Sequence, residues 1–396
     1  MRVILHCDCN SFFASVETVL NPEYKNVPMA VCGSEADRHG IVLAKNELAK
    51  RYGIQTAETV YSARKKCPNL VIAEPHHKEY VKYSAMINKI YREYTELIEP
   101  FGIDESWLDV TASQRLFGSG EQIAETIRER IKREIGLTVS IGVSFNKVFA
   151  KLGSDYKKPD AVTVISKEGY KDIVYPLPVS DLLFVGKRTA EELRRIGIKT
   201  IGELAAADTA FLVHKFGKMG TMLSKYARGE DDSPVTAGAD GDVKSIGNGY
   251  TFKRDLVGRE QCRMGIDYLC EEVGSRLRAA GLKCSTVCLT IKDEYLVSIQ
   301  RQSPQSPPTD IGREIADTAF SILCAHWQED KPVRMLTVTA NGLSGADADG
   351  FQLNLFDEDN EVRSKKRDFE KTVDIIRQKY GTDSIVRGYN VKKNKP

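Results

Sequence analysis

Gly102-Ile103-Asp104-Glu105-Ser106-Trp107-Leu108-Asp109-Val110 decides how the rest of the chain is read. Two adjacent acids stand between apolar flanks: Leu97, Ile98 and Phe101 before them, Trp107, Leu108 and Val110 after, with Gly102 as the break. The pattern predicts two short strands joined by a tight bend that carries Asp104 and Glu105. Consecutive strand side chains point to opposite faces, but a turn relaxes that rule and lets both carboxylates aim at one cation. Magnesium is commonly held by one or two carboxylates. An isolated Asp-Glu pair is more often a solvated hairpin tip, so the weight of the reading rests on a partner elsewhere in the chain.

That partner lies at the N-terminus. Val3, Ile4 and Leu5 open a buried strand that runs through His6 and Cys7 into Asp8. Asn10 or Ser11 then serves as the N-cap of a helix carrying Phe12, Phe13, Ala14, Val16, Val19 and Leu20. A carboxylate at the end of a buried strand is costly unless it is paired or binds a metal. If the two strands are neighbours, Asp8, Asp104 and Glu105 form a three-carboxylate site. Their repulsion calls for divalent cations, as in two-metal phosphoryl transfer.

Composition bounds the alternatives. The 396 residues allow two to four domains, and 41% hydrophobic with 28% charged residues is a soluble globular balance. A formal net charge of +2 does not announce a nucleic-acid binder, so any basic surface must be local. No apolar run approaches a membrane span and no signal-peptide pattern precedes Asp8, which leads us to expect a cytoplasmic protein without membrane contact. The nine cysteines show no zinc spacing and read as reduced thiols.

The motifs occur in one order: Asp8-Cys9-Asn10-Ser11-Phe12-Phe13-Ala14, Ile103-Asp104-Glu105-Ser106, Ser144-Phe145-Asn146-Lys147-Val148-Phe149-Ala150-Lys151, then Lys158-Pro159. This set, spread over nearly all of the chain, resembles the Y-family DNA polymerases, most closely the bacterial DNA polymerase IV type. The resemblance implies an α/β and α+β multidomain right-hand enzyme with palm, small fingers, helix-hairpin-helix thumb and α+β little finger. It places the palm at 1–165 with fingers inserted at about 33–76, the thumb at 166–230, a linker at 231–246, the little finger at 247–343 and a tail at 344–396.

Residue roles follow from the same resemblance. Asp8, Asp104 and Glu105, with the Cys9 backbone carbonyl, hold two magnesium ions; Asn10 stands where some relatives have a third acid and is not counted. Phe13 is the steric gate under the incoming sugar, with Phe12 beside it in the substrate pocket or packed inward. Lys50 and Lys158 meet the triphosphate. Lys50 replaces the commoner arginine and Glu47 the commoner tyrosine, and a lysine meets phosphate as a point charge without the guanidinium fork.

Periodicity outlines the remaining elements. Residues 79–98 read as one long helix with Tyr80, Tyr83, Ile87, Ile90, Tyr91 and Tyr94 as a core stripe, and residues 119–135 as a second, ended by Gly136. Strands at Val139–Val143 and Ala161–Ile165 flank a helix from Asn146. Lys45 to Gly53 reads as a short basic helix. From Leu183 to Leu204 the pattern is helix, tight turn, helix, with a weaker copy at Phe216-Gly217-Lys218-Met219-Gly220; Gly186, Lys187 and Lys218 are the expected phosphate contacts. Strands near 249–254, 287–292, 295–302 and 333–340 alternate with helices near 260–280 and 310–327, forming two strand-helix-strand halves. Lys253, Arg254 and Arg301 there could track a duplex. Gln352-Leu353-Asn354-Leu355-Phe356 resembles a sliding-clamp-binding motif with Gln352, Leu353, Leu355 and Phe356 as anchors, and Arg363 to Tyr380 reads as a further amphipathic helix.

The expected function is low-fidelity, template-directed synthesis past damaged bases, without proofreading, by a monomer. Its partners are primer–template DNA, deoxynucleoside triphosphates and the sliding clamp. Two other readings compete: another palm-type nucleotidyl transferase such as a nucleotide cyclase, and a non-catalytic DNA-binding scaffold. The first needs neither hairpin phosphate binders nor a clamp motif, and the second has no use for three convergent acids.

Overall fold

The computed structural model describes residues 2–34, 40–237, 243–345, 360–381 and 384–385. They divide into two bodies, 2–237 and 243–385. In the first body the strands are β1 (Ile4–Cys9), β2 (Met29–Cys32), β3 (Val42–Lys45), β4 (Val71–Ala73), β5 (Ile98–Pro100), β6 (Glu105–Asp109), β7 (Val139–Ser144) and β8 (Val162–Ile165). Five of them form one sheet in the order β5-β6-β1-β7-β8, and a small sheet has the order β3-β2-β4.

β1 is the centre of the large sheet, antiparallel to both β6 and β7. All six residues of β1 and all six of β7 are buried, the expectation for strands covered on both faces. One face carries the helices His77–Arg92 and Gly120–Ile135, whose Tyr80, Ile87, Ile90, Tyr91, Ile123, Ile127 and Ile131 pack with Leu5, Leu108 and Ile141. The tyrosine stripe is therefore core, as its spacing predicts. Ser119 opens the second of these helices with a reciprocal capping box to Gln122, and Gly136 ends it at φ +81°, a conformation glycine adopts without strain. The first helix stops at Arg92, short of the predicted 98. Its last turn gives way to Ile98–Pro100, where pairing with β6 offers the backbone a better partner than continuing the helix.

The opposite face receives the helix Lys147–Tyr156, N-capped by Asn146, whose side chain accepts from the Phe149 N–H at 2.8 Å. Its seating depends on Gly142 in β7. A Cβ there would lie 1.9 Å from the Ala150 carbonyl oxygen and 2.5 Å from the Ser154 nitrogen. The predicted basic helix from Lys45 is a single turn, Glu47–Lys50, because Lys45 is spent in β3 and Asn46 caps the turn.

Residues 166–227 are short helices. Lys187–Arg195 and Ile201–Ala206 meet across a turn at Gly197, and Thr209–Phe216 and Lys218–Ala227 across one at Gly217. Leu193, Ile201, Leu204, Leu212 and Leu223 join Phe149 and Leu152 in one core. Residues 231–237, expected within a linker, pack on this body: Val235 is buried with Ile4, Trp107 and Ala150, and Thr236 donates to Glu99.

The second body is built on β9 (Ser245–Leu256), β10 (Leu282–Lys292), β11 (Ser298–Thr309) and β12 (Val333–Gly345), antiparallel in the order β11-β10-β12-β9. Helices Gly258–Ala279 and Gly312–His326 contribute Ile266, Leu269, Ile315 and Ala319 to a core with Leu289, Ile291, Leu336 and Val338. The two strand-helix-strand halves are thus present. The last helix, Asn360–Tyr380, is fastened to this body by ion pairs: Arg278 to Glu370 (2.5 Å) and Asp374 (2.6 Å), Arg367 to Asp310 (2.6 Å), Arg363 to Glu314 (2.7 Å) and Arg377 to Glu271 (2.9 Å).

Candidate active site

Strand register assembles the acids. Asp8 stands directly opposite Glu105 across the β1–β6 ladder, and the Cys9 N–H donates to the Asp104 carbonyl at 3.1 Å. Asp104 lies in the bend, as expected. Glu105, in contrast, is the first residue of β6, and it converges because its neighbour is the end of β1. The Asp8 side chain is 8% exposed and that of Glu105 22%.

Cations from the helix Lys147–Tyr156 and the loop after it meet these acids. Lys151 Nζ lies 2.9 Å from Asp8 Oδ2 and 2.8 Å from Glu105 Oε2. Lys158 Nζ lies 2.7 Å from the same Asp8 oxygen and 2.6 Å from Asp155. Asn10 holds the loop that carries Lys158: its Oδ1 accepts from the Asp160 N–H at 2.9 Å, and its Nδ2 donates to Ser140 Oγ at 2.8 Å.

Beneath the acids is His6, fully buried. Ser154 Oγ donates to the Lys151 carbonyl at 2.7 Å, so His6 Nδ1 is the donor in its 2.8 Å contact with Ser154. His6 Nε2 then faces Glu105 Oε2 at 3.3 Å without an aligned hydrogen bond, and both atoms are buried. Burial holds the His6 imidazole below its ordinary range. Glu105 is held low despite burial, by the Lys151 ammonium against it. Asp104 is pushed up to about 6, first by burial and then by the charges of Asp8 and Glu105. Side by side, the two acids therefore differ because the Lys151 ammonium contacts Glu105 directly and offsets Asp104 only weakly.

Among the described residues no three carboxylate, imidazole or thiol groups converge as a ready-made cation cage. The donor set nonetheless fits a hard divalent ion: every acid atom is oxygen, Asp104 carries repulsion that Lys151 offsets only in part, and the ammonium groups of Lys151 and Lys158 stand where positive charge is needed.

The remaining expected residues fall in three groups. Phe13 is half-buried and lies flat on Tyr80, ring centroids 4.1 Å apart at 13°. Phe12, expected in the substrate pocket or packed inward, is buried among Leu5, Val16 and Tyr80 and backs the site from inside. Lys50 is exposed and paired with Glu47 at 2.5 Å, while Glu47 also accepts from Ser11 at 3.3 Å. Burial, and then the charge of Lys50, hold Lys45 below the ordinary lysine range, so two lysines share this corner. Gly186 caps the helix that starts at Lys187, Gly217 precedes the helix that starts at Lys218, and both lysines are exposed. In the second body Lys253, Arg254 and Arg301 are exposed. Arg301 pairs with Leu289, so it leaves the sheet on the side that holds the core, at the β11 edge. Gln352, Leu353, Leu355 and Phe356 lie outside the described residues.

Lys151 and His6 were not singled out by sequence reasoning. A usable signal existed for each: a lone lysine in the run Val148–Ser154 that is otherwise apolar or small, and a histidine inside an apolar strand.

The chain matches the impB/mucB/samB family over residues 7–155 and that family's C-terminal domain over residues 243–355. It is 48% identical over 388 residues to a DNA polymerase IV of Acetivibrio thermocellus, covering 98% of this chain and 97% of that one. Against DNA polymerase IV 2 of Bacillus subtilis the identity is 36% over 392 residues, covering 98% and 94%. A solved Y-family DNA polymerase chimera shares the fold at a TM-score of 0.77 and 22% identity, over 86% of this chain and 98% of that chain. The chain belongs to the impB/mucB/samB family. Within it, the relatives make the chain a Y-family, DNA-directed DNA polymerase of the polymerase IV type, whose activity is low-fidelity translesion synthesis.

Proposed function

We propose that the chain extends a primer by attack of its 3′-hydroxyl on the α-phosphate of a deoxynucleoside triphosphate, at a site formed by Asp8, Asp104 and Glu105. The observation that carries this reading is the pairing of Asp8 with Glu105 on neighbouring central strands, with Asp104 tied to Cys9 through the backbone. These three carboxylates, with the Cys9 carbonyl, would hold two magnesium ions. When bound, such ions offset charge on the attacking and leaving oxygens. Lys158 supplies a positive charge at the mouth of the site, suited to the triphosphate, and Lys50 with Lys45 offers a second cationic corner. Phe13, braced on Tyr80, presents a flat ring that leaves no room for a 2′-hydroxyl.

The first body then corresponds to palm, fingers and thumb and the second to the little finger, with 1–165, 166–230 and 247–343 as their extents. Gly186, Lys187 and Lys218 would meet the DNA backbone at two Gly-Lys helix starts, joined by Lys253, Arg254 and Arg301. Gln352, Leu353, Leu355 and Phe356 would recruit the protein to a sliding clamp, a reading that rests on sequence. It would work as a cytoplasmic monomer without proofreading. Primer extension on a plain primed template with magnesium, comparing wild type with Asp104→Ala/Glu105→Ala, tests the acid site. Extension by wild type alone is expected. Equal extension by the variant would remove the acids from the chemistry.

A further inference from the structure

The helix Phe12–Leu20 carries one buried carboxylate, Glu17, 3% exposed. It is not part of the acid site, and a carboxylate so enclosed needs donors. Among the described residues its donors are His76, the N-cap of the helix His77–Arg92, and Tyr80 in its first turn. Tyr80 Oη donates to Glu17 Oε1 at 2.5 Å, and the His76 backbone N–H reaches the same oxygen at 3.3 Å. His76 Nδ1 lies 3.0 and 3.1 Å from the two carboxylate oxygens, and the His76 N–H also meets Tyr80 Oη at 3.0 Å.

Helical spacing gives this cluster its meaning. Phe13 and Glu17 are four residues apart, so they share one face of their helix. Both engage the same tyrosine: Phe13 stacks on the Tyr80 ring, and Glu17 holds the phenol oxygen of that ring. The His77 ring meets the Phe13 and Tyr80 rings edge-on, at 5.8 and 5.6 Å. Burial, and then Glu17 itself, push the Tyr80 phenol up, so it remains a donor at working pH. Tyr80 is thus anchored at its far end by Glu17 while its ring forms the floor under Phe13.

We propose that Glu17 is a positioning residue for sugar selection, which fixes Tyr80 through its phenol and thereby holds the Phe13 ring where a ribose 2′-hydroxyl would sit. This inference rests on the reading of Phe13 as the group beneath the incoming sugar. A gate excludes an extra oxygen only while it cannot yield, and discrimination built on a steric contact falls when the contacting ring gains freedom. Glu17 would thus contribute to specificity without touching substrate.

The test is single-nucleotide incorporation by the full chain, with kcat/KM measured for a deoxynucleotide and for the matching ribonucleotide. Wild type is compared with Glu17→Gln, Tyr80→Phe and Phe13→Ala. Tyr80→Phe keeps the aromatic floor and removes only the phenol oxygen, so it carries the test even if Glu17→Gln folds poorly. The ratio of the two kcat/KM values cancels a uniform loss of active enzyme, which a merely structural role would produce. We expect the ratio to fall by about tenfold in Tyr80→Phe and Glu17→Gln, the range of one lost hydrogen bond to a charged group, and further in Phe13→Ala. A ratio at the wild-type value in Tyr80→Phe, with loss in Phe13→Ala, would overturn the role of Glu17 and leave Phe13 as the gate, whether or not Glu17→Gln folds. An unchanged ratio in Phe13→Ala would overturn both.

Discussion

Substitution of Gly142 by alanine is the sharpest probe of how the proposed active site is held. Gly142 lies in β7 opposite His6, and the helix Lys147–Tyr156 crosses directly over it. The new methyl would lie 1.9 Å from the Ala150 carbonyl oxygen, 2.5 Å from the Ser154 nitrogen and 2.8 Å from the Gly153 carbonyl carbon. All three obstacles are helix backbone, so no side-chain rotation relieves them, and the helix must lift by about 1 Å from a close-packed sheet. Overpacking of this kind costs about 1–3 kcal/mol, and backbone obstruction puts the expectation at about 3 kcal/mol. For a body of this size that is a fall in Tm of roughly 6–12 °C. Function suffers more. Lys151 and Ser154 ride on that helix and Lys158 on the loop after it, with contacts of 2.7–2.9 Å to Asp8, Glu105 and His6. Displacement of about 1 Å at a reacting centre lowers turnover by about 100-fold. Thermal melting and primer extension by the folded fraction measure the two effects separately. A variant that melts within about 2 °C of wild type and extends primers at the normal rate would refute the claim that the Gly142–helix contact positions the site.

Other outcomes follow from the same geometry. Phe13→Ala should raise ribonucleotide incorporation, read by alkali-labile sites in the extended strand; unchanged sugar selection would remove Phe13 from that role. Lys151→Met leaves Asp8 and Glu105 without their shared ammonium, a loss of about 3 kcal/mol in chelator, at the lower end for a broken buried pair because Lys158 still meets Asp8, that should shrink as magnesium is added; an equal deficit at saturating magnesium would argue against a cation at these acids. Magnesium at about 100 times its Kd should stabilise wild type by about 2.7 kcal/mol, and the same addition should leave the melt of Asp8→Ala/Asp104→Ala where it was. Arg278→Ala removes the guanidinium, itself 7% exposed, that joins Glu370 and Asp374. The helix Asn360–Tyr380 should then become the first site of tryptic cleavage, and a digestion pattern like that of wild type would count against its electrostatic attachment.

Much was legible in the order of residues alone. The strand β1 follows from its apolar start at Val3, Ile4 and Leu5, the end of the helix Gly120–Ile135 from Gly136, and the two strand-helix-strand halves of the second body from alternation between turn signals, whereas the burial of Ser140 and Ser144 in β7 is not visible in its alternating sequence. These properties are local: a strand or helix declares itself through period, cap and breaker residues within about ten positions. The motif order from Asp8 to Lys158 was legible for the same reason.

Only the tertiary structure decided what faces what. Glu105 reaches Asp8 through strand register, and register depends on two strands about 100 residues apart in sequence choosing one pairing. The place of Lys151 depends on Gly142, nine residues earlier, leaving room for a helix. The helix predicted to reach 98 ended at Arg92 because the sheet claimed Ile98. Glu17 gives no sign in sequence of where its carboxylate ends, since His76 and Tyr80 meet it only when two helices pack. Local propensity sets which segments form. Long-range packing, by satisfying buried charges that no segment can satisfy by itself, sets where the chemistry is.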